Sequence, residues 1–566
     1  MKKYCLGLLH FNIQFVAGEI DTYHREVRES FSPVIDFLFD HPELHFDVEM
    51  QGHMVEFMAE HYPHALQRLV DLVSRKQVEL ISCHYSDQIW IAFPKKDMLK
   101  SIELNDRVLR DHGLERSRVF FTQENFSGEG VAELAEFFDI CIFRSDYYTH
   151  FQPIDTLQPY YTMGKMKVVI APDSGRCDDL AWTWAVCGDG EPITITGMPN
   201  DVMNFFFNPR ILASFAQRIA NLKAAGFEFS SVGEFVEHVD KKAFKPEAIK
   251  PVLDGSWHMF KGDGAFQWMG RYAHPHEKDW TVRSYNVRSR NRLLALETLL
   301  AHAKKKGVDT TEQEKVLEEA WRHQLLAENS DPTGWIPTEK EVNYAIEETN
   351  EALNLVRNAV DYLKVQLGLG VIQINTKTGT VSKFQPEDLY MERVVDLDDI
   401  DFMGVEIFGA EGTIRQFQET SCRTRLCVEF TPTDTLCGVK RPYDVDYLQY
   451  SPALMEDRLV RYRLDAFRAD KLYLPLTNGL ITIRDKLHLI KHNETTHIAC
   501  LVDKKERLIK FQMENAPRQR HASLFSKESN NIAKQVYHWE FTLYEGTAEE
   551  ALEYANRINV TPTVVL

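Results

Sequence analysis

The chain has 566 residues, 44% hydrophobic and 26% charged, the balance of a soluble globular protein. Its formal net charge of -19, from 84 acidic and 65 basic side chains, argues against a nucleic-acid partner, whose phosphates call for a basic surface. No stretch approaches the roughly 18 apolar residues of a membrane span, and the length predicts about three domains.

Along the first 200 residues short apolar runs recur, and most stop at polar residues able to do chemistry. The runs are Tyr4–Leu9, Leu44–Val48, Val78–Ser82, Val119–Thr122, Ile140–Phe143, Val168–Ala171 and Ile193–Thr196. Beyond them stand His10 with Asn12, Glu49 with Gln51, His84 with Tyr85, Glu124, Arg144 with Asp146, Asp173, and Asp201. Strands of a parallel sheet buried on both faces read as continuous apolar runs, and a barrel of them gathers its site at their C-terminal ends. Amphipathic stretches fall between the runs, at Arg25–Asp40, Gly52–Lys76, Lys96–His112, Gly130–Phe138 and Pro209–Ala225. Phe227–Ser230 and a helix at Ser231–Val239 are predicted to close the barrel. The fold class expected is α/β plus β: a seven-stranded (β/α) barrel over 1–245, a helical segment over 246–366, and a C-terminal antiparallel β-sandwich over 367–566.

The helical segment rests on Thr281–Lys306, Thr311–Asn329 and Thr338–Val365, rich in strong helix formers. Lys241–Lys250 reads as a linker, and the loop after it holds Trp257 and Trp268. After Gly368, short strand-like runs at turn-sized spacing point to the sandwich. Nine cysteines are scattered without a Cys-x-x-Cys pair, which predicts neither a disulfide framework nor a zinc ribbon. With an opening apolar run too brief for a signal-peptide core, a cytoplasmic setting is expected.

Glu124 ends the run Val-Phe-Phe-Thr-Gln-Glu and is the first catalytic candidate; its bland reading is a cap for the next helix. Hydrolysis of a glycosidic bond takes two carboxyl groups, one of them a nucleophile when configuration is retained. The second carboxyl is Asp201, close to Phe205-Phe206-Phe207, with Asp146 and Asp173 as rivals. An apolar surround raises a carboxyl pKa, as a general acid needs. His10, Asn12, His84 and Asp146 are candidates for sugar hydroxyls, and Trp257 and Trp268 for stacking on sugar rings, against simple packing as the alternative. A metal site at His10 would want an acid two residues on, where Asn12 stands, so no metal and no cofactor are expected.

Lys76-Gln77-Val78-Glu79-Leu80, the segment running to Pro94, the Glu124 strand and Ser231–Val239 resemble glycoside hydrolase family 57, the α-amylase and 4-α-glucanotransferase group. Weaker echoes lie at Asp254-Gly-Ser-Trp257 and Ser330–Trp335. The resemblance implies a seven-stranded barrel, Glu124 as nucleophile, Asp201 as general acid/base, and His10 as the first histidine of the His-x-His-Gln-Pro motif. This chain departs from that pattern at Asn12, lacks the Gln-Pro pair, and has Phe121 where tryptophan is usual. The expected activity is a retaining glycoside hydrolase or transglycosylase on α-linked glucan-like saccharides. The alternatives are a metal-dependent carbohydrate deacetylase or α-mannosidase-like enzyme, or an inactive carbohydrate-binding homologue.

Overall fold

The computed structural model describes residues 2–14, 18–88, 93, 95–121, 134–144, 158–171, 183–202, 209–249, 279–333 and 338–384, and mainly strands between 406 and 566. It divides into two compact units, one of residues 1–90 and 96–257, the other of 91–95 and 258–566.

The first unit alternates strand and helix. Its strands are β1 (Lys2–Phe11), β2 (Phe46–Met50), β3 (Val78–Leu80), β4 (Val119–Phe121), β5 (Ile140–Arg144), β6 (Tyr161–Met163), β7 (Met166–Ala171), β8 (Thr183–Val186), β9 (Pro192–Asp201) and β10 (Glu228–Ser230). Each of the seven predicted runs, and Phe227–Ser230, coincides with a strand. The helices are α1 (Ile20–Glu26), α2 (Ser32–Asp40), α3 (Gly52–His61), α4 (Pro63–Ser74), α5 (Lys95–Asp111), α6 (Pro209–Ala224) and α7 (Val232–Asp240).

Prolines explain two departures from the predicted helices. Pro63 excludes Tyr62 from helical backbone and splits the Gly52–Lys76 stretch into α3 and α4. Pro33 lacks the N–H that would bond the Glu29 carbonyl, and the helix widens to a π-helical stretch at Val27–Phe31 just before it. Of Gly130–Phe138, residues 134–136 form a single tight helical turn and 130–133 lie outside the described residues.

β1 sits at the centre, parallel to β2, β9 and β10, with β3 beyond β2 and β8 antiparallel at the other edge. β4, β5 and β7 form a second parallel set edged by antiparallel β6. Among the described residues the pairing gives two sheets, yet their side chains share one core. Leu6 and Leu8 of β1, Ile193 and Ile195 of β9, Ile142 of β5 and Val169 of β7 all belong to it. Alternate residues face the helices, and Phe11 stacks on Phe31 with ring centroids 5.0 Å apart. This is the βαβ, barrel-like layout expected, with both strand faces buried. Gly7 has a steric reason: a Cβ there would lie 2.4 Å from the Phe46 ring.

The segment from Lys241 is no free tether. Residues 247–249 lie alongside β6, where Thr162 N–H donates to the Glu247 carbonyl at 2.9 Å and Ile249 N–H to the Thr162 carbonyl at 2.9 Å.

In the second unit α8 (Asp279–Lys305), α9 (Thr311–Ala327) and α10 (Glu339–Leu367) match the three predicted helices within a few residues. Thr338 and Glu341 form a reciprocal capping box at the start of α10, and Gly368 ends it in left-handed conformation. Beyond it, strands 410–420, 423–432, 537–545, 487–491 and 480–484 pair antiparallel in that order. The Arg292 guanidinium on α8 donates to the Val565 carbonyl at 2.6 Å.

Candidate active site

The parallel register decides what meets at the strand tips. His10 on β1 stands level with Glu49 on β2 and with Asp201, the last residue of β9. The structure thus carries β9 five residues past the predicted Thr196, which makes Asp201 a strand tip rather than part of the following loop.

His10 is 16% exposed and Glu49 2%, and the imidazole Nδ1 meets Glu49 Oε2 at 2.5 Å. That bond fixes which ring nitrogen faces the carboxylate. Gln51, the next residue on the same face of the chain, is fully buried and donates from Nε2 to both Glu49 oxygens at 3.2 and 3.1 Å. The same amide donates to Asp87 Oδ1 at 3.1 Å. Asn12 Nδ2 donates to Asp87 Oδ2 at 2.6 Å, while Gln14 accepts from the Asp87 backbone N–H at 2.7 Å. Asp87 is 1% exposed.

The loop that presents Asp87 leaves β3 and is held rigidly. Tyr85 N–H donates to Ser101 Oγ of α5 at 2.9 Å, and Tyr85 Oη to Glu56 of α3 at 2.8 Å. Carbonyls of His84 and Tyr85 accept from Gly52 and His53 N–H at 3.1 and 2.9 Å, satisfying the first donors of α3. Two buried carboxylates, an imidazole and two side-chain amides therefore converge at the C-terminal end of β1 and β2. Such a set can bind hydroxyl groups, hold a proton or hold a cation.

His84 is 2% exposed, and neither ring nitrogen has a hydrogen-bond partner among the described residues. Burial pushes its pKa down to about 3, so the ring is neutral at ordinary pH. Asn12 is likewise buried, its amide committed to Asp87. Of the predicted site residues, His10 is the described one with exposed surface. Glu124, Asp146, Trp257, Trp268 and Asp173 lie outside the described residues, as does the side chain of Asp201.

The requirement for an acid two residues beyond His10 is corrected by this geometry. Acids reach His10 from β2 and from the β3 loop instead. The sequence reading leaves Glu49 and Gln51 at a strand tip without a role and passes over Asp87. Their signal is the alternation Glu49-x-Gln51 at the end of a buried strand.

The motif Lys76–Leu80 proves to be scaffold. Gln77 Nε2 donates to the carbonyls of Leu38 and His41 at the end of α2, at 2.5 and 2.9 Å. Glu79 accepts from Gly233 N–H at 3.1 Å, and Asp47 from Val232 N–H at 2.9 Å, at the start of α7. Burial, then the Glu79 charge, pushes the Asp47 carboxyl well above its ordinary pKa.

Residues 8–171 match glycosyl hydrolase family 57, the family the sequence resembles. The chain is 27% identical over 145 residues to a 4-alpha-glucanotransferase of Thermococcus litoralis, covering 25% of this chain and 22% of that protein. It is 26% identical over 154 residues to an alpha-amylase of Pyrococcus horikoshii, covering 26% and 24%. The match thus spans less than a quarter of the length of these two curated relatives. The crystal structure of 4-alpha-glucanotransferase from Thermococcus litoralis aligns over 96% of this chain and 99% of its own, at 10% identity and a TM-score of 0.42.

Proposed function

We propose, from the premise that residues 8–171 belong to glycosyl hydrolase family 57, that this chain is a retaining glycoside hydrolase or transglycosylase. Its substrates are α-linked, glucan-like saccharides. The named relatives, an alpha-amylase and 4-alpha-glucanotransferases, support that substrate class. The observation that carries the reading is the level rim. Asp201 ends β9 beside His10, and Glu124 follows the end of β4 by three residues. Both carboxyls thus belong to segments that leave the C-terminal ends of parallel strands, where a barrel builds its site.

In this reading the parallel strands close as a seven-stranded barrel, the C-terminal strands pack as a sandwich, and the domains divide near 245 and 366. Glu124 attacks the anomeric carbon, forming a glycosyl-enzyme as the leaving oxygen takes the Asp201 proton. Asp201 then deprotonates water or an acceptor hydroxyl, which displaces Glu124. His10, oriented by Glu49, meets a sugar hydroxyl. Asn12 acts on that surface through Asp87, and Asp146 and Trp257 add to it. No cofactor takes part in this sequence of steps.

The test is a panel of α-glucans with product analysis, comparing the wild type with Glu124→Gln. Wild-type turnover that falls by about 10³-fold or more in the variant, with saccharide binding retained, is expected. A panel left untouched by the wild type, or equal turnover by both proteins, overturns the proposal.

A further inference from the structure

We infer that His10, Glu49 and Asp87 form a site for a divalent ion of the zinc or manganese class. Among the described residues, this is the group of three in which histidine, cysteine or acid ligand atoms converge, all within 4.8 Å of one another. One imidazole nitrogen with two carboxylate oxygens suits such an ion, while the all-oxygen preference of calcium and magnesium does not.

A second observation points to the same spot. The Gln51 side chain is fully buried and aimed between the two carboxylates, its one NH₂ group bonded to both. A single donor can bridge two acids only if both turn toward one point. The positive end of the amide dipole occupies that point, as a cation would. Its carbonyl oxygen Oε1 is buried with no partner among the described residues. Amide oxygen and nitrogen exchange places on a 180° rotation, so the orphan oxygen can turn inward as a further ligand.

The surroundings are those of a metal centre. The two carboxylates are 2% and 1% exposed, and a divalent ion would give both a counter-charge inside the protein. Asn12 grips the outer Asp87 oxygen, and Asn12 Oδ1 accepts from Gln14 N–H at 2.7 Å, locking the loop that does so. Outer partners of this kind orient metal ligands. His10, Glu49 and Asp87 alone leave a tetrahedral ion one further position, which the Gln51 oxygen or an outside ligand on the exposed side of His10 would fill.

The experiment is metal analysis of the full chain, purified without chelator, followed by calorimetric titration of the chelator-stripped protein with Zn²⁺, Mn²⁺ and Ca²⁺. Near-stoichiometric Zn²⁺ or Mn²⁺ binding, with Ca²⁺ weak, is expected. Glu49→Gln and Asp87→Asn should each weaken it at least about tenfold while circular dichroism stays native. Should either variant misfold, Co²⁺ loaded into the wild type decides. Visible bands of a low-coordinate nitrogen–oxygen site support the inference, and a hexa-aquo-like spectrum sinks it. Absent binding by the wild type, or equal binding by folded variants, also overturns it. Metal content rather than turnover is read, so a protein that binds the ion but leaves glucans intact defeats only the glycosidase reading.

Discussion

Strand β2 carries two buried acids on one face, Asp47 and Glu49, about 7 Å apart along the chain. At the lower level, Asp47 and its register partner Glu79 accept from backbone N–H groups at the start of α7. A helix N-terminus has fixed donors and a favourable dipole, so these acids are tied to the scaffold. At the upper level Glu49 is met by His10 and Gln51, side chains that can rotate, exchange partners or pass a proton. Two acids two positions apart thus serve folding in one place and, in the proposed reading, chemistry in the other. The nature of the donors separates the two roles.

The largest expected effect is at the upper level. Glu49→Gln should lower turnover of an α-glucan by about 10²-fold while the thermal midpoint moves little, because His10 loses the carboxylate that orients it. Unchanged kcat with a collapsed midpoint would assign Glu49 to the scaffold and erase the contrast. At the lower level the sign reverses. A Cβ on Gly233 would sit 2.4 Å from a Glu79 carboxylate oxygen. Gly233→Ala should therefore cost about 2 kcal/mol in urea denaturation and leave the turnover of folded protein unchanged.

His84 sharpens the comparison through pH. Its folded pKa, about 3, lies below the ordinary histidine value. The stability it permits is full above pH of about 6.5 and is lost as pH falls toward the folded value, because the unfolded chain takes up the proton first. Relative to His84→Leu, the wild type should lose about 1.5 kcal/mol between pH 6.5 and 5 by chemical denaturation. Parallel pH curves for the two proteins would refute a buried neutral ring. The smallest effect belongs to the helix cap. Ser231 accepts from Glu234 N–H at 3.2 Å, and Ser231→Ala should cost about 1 kcal/mol with kcat unaltered.

Much of the scaffold was legible because buried parallel strands are apolar without interruption, as in Cys5–Leu9 and Val168–Ile170. The antiparallel edges β6 and β8 were not. They are three and four residues long, and β6 turns into β7 through Gly164 at φ 60 with no apolar run to mark it. His10 was legible as a polar residue closing an apolar strand. Its partners were not, since Glu49 lies 39 residues further on and Asp87 sits in a loop without periodicity. Register between neighbouring strands joins them, and spacing along one segment carries no trace of that. The Lys76–Leu80 motif misleads in the opposite direction. It stands out as a pattern because Gln77 and Glu79 tether two helices, which is an architectural duty.

Gly7 and Phe46 have a bearing on how this protein could be diversified. The Phe46 ring occupies the volume that any side chain at position 7 would claim, on the strand adjoining β2. A library randomised at position 7 alone would return glycine and little else. Randomising both together opens paired solutions, a small residue at 7 with a slimmer one at 46. The two positions are coupled in one direction, since a side chain can enter at position 7 only where Phe46 has given way.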